Sequence, residues 1–238
     1  MARSLLTVEN LSAGYNGLNV LDGLSFEVGA GEFVAIVGPN GHGKTTLLKT
    51  ISGLLSASGG SITFAGLELT QRRADQIVAA GVVQVPQGDL LFPDMTVREN
   101  LLMGAYLPDA AAQAGARLEE VFQLLPKLRE RQGQIASTLS GGERRMTGIG
   151  RGLMSGGEIL MFDEPSLGLA PIVIDQIYQL IDRLKASGRT IVLVEENVAR
   201  IFDCADRVYL LDNGRFVWSG SGSELMERPE VIQTYLGG

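Results

Sequence analysis

The chain has 238 residues, 45% of them hydrophobic and 20% charged, with a formal net charge of −7. That length supports a substantial core in one large domain or two small ones, and the acidic balance argues against a protein whose ligand is a nucleic-acid backbone. A single cysteine, Cys204, excludes an internal disulfide and a cysteine-built zinc cage.

The opening "MARSLLTVENLS" lacks the apolar run of a signal peptide. No stretch approaches the ~20 apolar residues of a membrane span. The expectation is a cytoplasmic chain whose membrane role, if any, comes through partners.

Short apolar runs alternate with helical patterns along the chain, which predicts an α/β architecture. "LLTVENL" (5–11) and "LSFEVG" (24–29) read as early strands. "EFVAIVG" (32–38) is a strand running into glycines, and "TTLLKTISGL" is a helix ending near Gly53. "GSITFAG" reads as a short strand, 72–80 as a helix and "GVVQVPQ" as a strand. From about Gly88 to Ser155 the signals turn helical. Thr96 and Glu99 have capping-box spacing, 107–116 reads as an exposed connection, and Leu118, Val121, Phe122, Leu124 and Leu125 share one helical face. Strand–helix alternation then resumes with "EILMFDEP", "IVIDQIYQLIDRLKASG", "RTIVLVEEN" and "DRVYLLDNGRFVWSG", where Asn213 and Gly214 predict a tight turn. The expected organisation is one domain over 1–238, with a core of 1–87 and 156–238 interrupted by a helical subdomain at 88–155.

"GPNGHGKTT" (38–46) fits G-x-x-x-x-G-K-[ST] between a strand and a helix, the context that a phosphate loop requires. Gly38, Gly41 and Gly43 let the backbone curl so that N–H groups face one anion, and the new helix aims its positive end there. Lys44 is placed for the β- and γ-phosphates and Thr45 for Mg²⁺. A chance glycine turn is the alternative. His42, the only histidine, sits inside this loop; it is expected to point outward rather than to act in catalysis.

"ILMFDE" (159–164) is an apolar strand ending in two carboxylates, and parallel strands present ligands at their carboxyl ends. Asp163 suits Mg²⁺ and Glu164 suits polarising an attacking water. A solvated strand end is the plainer reading. Loop and acidic element together favour an ATPase over either alone.

"LSGGERRM" (139–146), lying between those two elements, makes the chain resemble the ATP-binding cassette family from about residue 5 to 238. The resemblance implies a P-loop cassette with a RecA-like core, an antiparallel β-subdomain and an inserted helical subdomain. It implies ATP and Mg²⁺ as cofactors. Asn40 and Thr46 join Gly38, Gly41, Gly43, Lys44 and Thr45 as nucleotide-binding residues, and Tyr15 in "GYNG" matches the aromatic that stacks on adenine. Gln87 matches the loop glutamine that touches Mg²⁺ or water. Ser140, Gly141 and Gly142 precede a helix whose bare N-terminus is a second phosphate site. In the family that site closes on the other chain's ATP in a head-to-tail pair.

Glu196 matches the family's switch position, usually His. Side chains alternate along a strand, so Glu195 and Glu196 cannot both face the site. A carboxylate accepts hydrogen bonds only and repels phosphate. Three outcomes are open: Glu196 is protonated, it swings away or pairs with a basic group of the partner, or the site hydrolyses slowly. "DEPSLGLAPI", Asn197 after the switch position and the ending "PEVIQTYLGG" resemble an ATPase subunit of branched-chain amino-acid uptake systems, where the switch position usually holds Gln. That implies import, a second ATPase subunit in a homo- or heterodimer, two transmembrane permease subunits, an external solute-binding protein and a peripheral place on the cytoplasmic face of the plasma membrane. The alternatives are a largely regulatory nucleotide-binding subunit, the same motor for urea or short amides, and a soluble cassette ATPase of translation or DNA repair. The last usually carries two cassettes or long coiled coils, and this sequence has neither.

Overall fold

The computed structural model describes residues 4–196, 200–228 and 230–231. Asn197 and nearly all of the ending "PEVIQTYLGG" lie outside them. The chain opens with β1 (Ser4–Tyr15) and β2 (Leu18–Gly29), an antiparallel pair. Asn16 and Gly17 join them with φ of 52° and 79°, the doubly left-handed turn that suits the twist of a hairpin. Both strands are longer than the apolar runs at 5–11 and 24–29 suggest. Then come β3 (Phe33–Val37), α1 (Lys44–Ile51), β4 (Ala57–Phe64), β5 (Leu67–Glu68), α2 (Ala74–Ala79) and β6 (Val82–Val85). Strands β2-β1-β4-β5 form a four-stranded antiparallel sheet.

Only helical elements connect β6 to the next strand among the named elements: α3 (Val97–Leu102), α4 (Pro108–Ala112), α5 (Ala114–Leu124), α6 (Pro126–Glu130) and α7 (Gly141–Leu153), with two short 3₁₀ turns. The Thr96 capping box forms: Glu99 N–H donates to the Thr96 hydroxyl at 3.2 Å, and Thr96 N–H donates to the Glu99 carboxylate at 2.8 Å. The expected exposed connection at 107–116 is instead α4 and the start of α5. Pro108 opens α4 at a position where its missing N–H costs nothing, and Ala110 is buried. The apolar face at 118–125 also departs from one continuous helix. Leu125 takes φ −128° and ψ 71°, as the residue before Pro126 must avoid the helical region, and α6 starts anew.

The remaining elements are β7 (Ile159–Asp163), α8 (Pro171–Ala186), β8 (Thr190–Glu195), β9 (Arg207–Asp212), β10 (Arg215–Gly220) and α9 (Gly222–Met226). They complete a six-stranded sheet ordered β10-β9-β3-β8-β7-β6, parallel except for the β9–β10 hairpin. Asn213 and Gly214 make that hairpin with φ of 44° and 75°. No helix among the described residues is long and apolar enough to cross a membrane.

The parallel sheet is apolar on both faces because both are covered. Phe33, Ala35 and Val37 of β3 pack toward the helical elements with Ile177, Ile181 and Ile149. Val34 and Ile36 point the other way, into a second core shared with α1 and the antiparallel sheet. Each fully buried Val or Ile contributes roughly 2 kcal/mol, so the register of these central strands is strongly set. β3, β8 and β7 are neighbours, with Val37 opposite Glu195 and Val194 opposite Asp163. Their carboxyl ends therefore open on the same edge of the sheet.

Gly38, the first residue after β3, marks where this edge tightens. A Cβ there would overlap the Leu211 carbonyl oxygen of β9. Its φ is not positive, so close approach requires glycine here, whereas backbone curl does so at Gly41 and Gly43. Gly38→Ala is expected to lower the melting temperature by roughly 5 °C or more, since the clash is with backbone and cannot be relieved by a rotamer change. Thermal unfolding followed by circular dichroism checks it.

Candidate nucleotide site

The loop between β3 and α1 turns on two left-handed glycines, Gly41 at φ 83° and Gly43 at φ 109°. Gly43 is also the N-cap of α1 and brings no side chain to the cap. The first N–H groups of α1 are thus left to an external acceptor, and the helix dipole favours an anion there. Lys44, only 3% exposed, turns its ammonium back over the loop. It donates to the carbonyls of Gly38 at 2.7 Å and Pro39 at 3.0 Å and lies 3.1 Å from Glu164 Oε1.

Thr45 donates its hydroxyl to Asp163 Oδ1 at 2.9 Å. Burial pushes the Asp163 carboxyl up and neighbouring Glu164 adds to this, against the Thr45 bond that holds it down. Glu164 has φ 44°, unusual for a branchless acidic residue and a mark of strain at a site. Its N–H donates to Val194 O at 3.0 Å, and its other oxygen accepts from Gln87 Nε2 at 3.3 Å. Asn40, Gly41, Gly43, Lys44, Thr45, Thr46, Gln87 and Glu164 line one cavity of about 210 Å³.

The two glutamates at the end of β8 part company, as strand alternation requires. Glu196 is exposed and accepts from the Asn40 amide at 2.8 Å. It is bound to the phosphate loop of its own chain. Glu195 is 2% exposed. Burial pushes its carboxyl up to about 7; the Ser166 hydroxyl and N–H hold it down, and Glu164 raises it further. Glu195 is absent from the site residues expected from sequence, although a carboxylate one step inside an apolar strand is a signal of a buried acid.

His42 does not point outward. Its Nδ1 lies 2.8 Å from Asp212 Oδ1 and accepts from Asn213 N–H at 3.1 Å, so the side chain ties the loop to the β9–β10 turn. Tyr15 is 44% exposed at the end of β1 and lies outside the cavity lining. Ser140 and Gly142 also lie apart from it. They line a different cavity of about 490 Å³, between α7 and α8. Ser140 caps α7 in a full capping box: its N–H and hydroxyl both donate to Glu143 at 2.9 Å. The Ser140 N–H holds the Glu143 carboxyl below its usual range. Gly141 begins the helix, and a Cβ at Gly142 would come within 2.8 Å of Val173.

The donors around Thr45 and Asp163 are hard oxygens, with Gln87 close by. They fit Mg²⁺, which keeps waters and takes phosphate oxygens rather than needing an all-protein cage. The loop, its buried lysine and the α1 N-terminus fit a nucleotide's phosphates.

Fold and site together define a P-loop nucleotide-binding ATPase. The chain belongs to the ABC transporter family, whose model matches residues 21–167, and it is an ATP-binding subunit of such a transporter. It is 42% identical to the high-affinity branched-chain amino acid transport ATP-binding protein BraG of Pseudomonas aeruginosa, over 98% of this chain and 100% of that one. It is 36% identical to the probable branched-chain amino acid transport ATP-binding protein LivF of Archaeoglobus fulgidus, over 98% and 99%. The lipopolysaccharide export system ATP-binding protein LptB of Escherichia coli is 30% identical, over 98% and 97%. Among solved structures, an ATP-binding cassette of an ABC transporter in its ADP conformation aligns over 100% of both chains, with a TM-score of 0.87 and 29% identity.

The burial of Glu195 makes stability depend on pH. The folded state holds the proton more tightly than the unfolded chain, whose carboxyl has the ordinary value of 4.5. Its contribution is therefore most favourable below about 4.5 and is lost as pH rises to about 7. Glu195→Gln is expected to remove this dependence and to stabilise the protein by about 2–3 kcal/mol at pH 8. Urea denaturation at several pH values checks it.

Proposed function

We propose that this chain is the ATP-hydrolysing subunit of an importer for branched-chain amino acids, working at the cytoplasmic face of the membrane against two permease subunits supplied by an external solute-binding protein. One observation carries the reading: the groups needed for hydrolysis converge on one cavity, in a chain matched end to end by relatives named for branched-chain amino acid transport. The lipopolysaccharide export relatives match at lower identity.

Lys44 and the α1 N-terminus bind the β- and γ-phosphates. Thr45, Asp163 and Gln87 would hold Mg²⁺, which would supply positive charge against the phosphate oxygens. Glu164 accepts a proton from the attacking water, and Gln87 at 3.3 Å helps to aim it. Tyr15 stacks on the adenine. Ser140, Gly141 and Gly142 serve the nucleotide of a second ATPase subunit, an arrangement supported by their lying away from this chain's own phosphate loop. The helical segment 88–155 carries the motion to the permeases. Supporting this, Leu90, Phe92, Met103 and Tyr106 are all more than 40% exposed and flank one groove of about 360 Å³, an apolar patch of the kind that marks a partner surface.

A partly regulatory role has one observation in its favour. Glu196 sets an acceptor-only carboxylate on Asn40 of the phosphate loop, where negative charge opposes a γ-phosphate. The test is phosphate release from Mg-ATP by the subunit in its permease complex. Glu164→Gln should lose about 100-fold or more in kcat. Glu196→Gln should run several-fold faster than native if the carboxylate restrains turnover. Equal rates would make Glu196 a tolerated substitute in an ordinary motor. Retained activity in Glu164→Gln would overturn the assignment of the base. Uptake of leucine, urea and short amides by vesicles carrying the whole complex identifies the solute.

A further inference from the structure

A carboxyl at the end of a fully buried parallel strand is an expensive choice, because an apolar side chain of that length would fit the same core. Glu195 is 2% exposed and lies between β3 and β7, with Val37 opposite it. What it touches is the turn that follows Glu164. The Ser166 N–H donates to Glu195 Oε1 at 3.2 Å.

One residue earlier on β8, Val194 accepts the N–H of Glu164 at 3.0 Å. The turn is thus pinned at two points two residues apart, by two consecutive residues of one rigid strand. Between the pins Glu164 adopts φ 44°, a conformation that a glutamate holds only when its surroundings impose it. Within the turn the closing bonds are long: Leu167 N–H to Glu164 O and Leu169 N–H to Ser166 O are both 3.3 Å. Local hydrogen bonding is weak there, so the strand supplies the constraint.

We infer that Glu195 is a positioning residue: by holding Ser166 it fixes the left-handed backbone of Glu164 and so keeps that carboxylate 3.1 Å from Lys44 and within reach of Gln87. The inference rests on the reading of Glu164 as the group that acts on the attacking water. It requires Glu195 to act as an acceptor of hydrogen bonds, a role that an uncharged amide oxygen fills equally well.

The test compares native full-length protein with Glu195→Gln, which keeps the acceptor, and Glu195→Met, which keeps the length without it. Amide hydrogen exchange at Ser166 and Leu167 is measured alongside kcat and KM for Mg-ATP, with circular dichroism to establish folding. In Glu195→Met, exchange at both amides should rise about tenfold or more and kcat should fall by about tenfold, with KM within about threefold of native. Glu195→Gln should keep kcat and KM within about threefold of native, with exchange at both amides no faster than native. Unchanged exchange in Glu195→Met, faster exchange without loss of kcat, or equal losses in both variants would each overturn the proposal. A Glu164→Gln control that retains activity would instead remove the catalytic reading of Glu164, and the exchange data would still decide whether Glu195 pins the turn.

Discussion

A buried ammonium has to be surrounded by acceptors, and Lys44 imposes that condition on everything around it. At 3% exposure it would cost several kcal/mol if left alone. Two carbonyls of the phosphate loop and the Glu164 carboxylate meet it. The carbonyls are available only because the loop doubles back on Gly41 and Gly43. The carboxylate is available only because β7 ends beside β3 in the same sheet, one strand removed, and its chain turns sharply after Asp163. The two faces of that sheet are buried by different partners, which sets its register and hence the positions of all three strand ends.

The end of β8 shows how one strand serves two purposes. Glu196 faces solvent and the phosphate loop, where Asn40 receives it. Glu195 faces inward and is bonded to the turn after Glu164. Alternation along a strand sorts identical side chains into different environments. Glu195 is buried enough to be pushed toward neutrality, whereas Glu196 is exposed. The phosphate loop is restrained in a comparable way at His42, whose imidazole and carbonyl both engage the β9–β10 hairpin.

Much of this was legible in the residues because local chemistry and global position agreed. The phosphate loop, the acidic strand end, the Thr96 capping box and the Asn213–Gly214 turn each carry a spacing with one dominant structural meaning. The length of the β1–β2 hairpin was less legible, because its outer halves alternate with polar and glycine residues that dilute the apolar signal. The α4 helix was hidden by an alanine-rich segment without clear periodicity. The role of Glu195 and the direction of His42 depend on residues more than twenty positions away in the chain, and no local pattern reports such contacts. The separation of Ser140 from the phosphate loop is likewise a matter of tertiary placement.

Binding of a nucleotide's phosphates in the cavity around Lys44 is the reading on which the proposed function rests. It is tested most directly by titrating ATP, with and without Mg²⁺, into native protein and Lys44→Met, each shown to be folded by circular dichroism. Native protein should bind, more tightly with Mg²⁺, and Lys44→Met should lose about 100-fold in affinity, roughly 3 kcal/mol. Equal affinity in the two proteins would contradict the claim and place the nucleotide elsewhere.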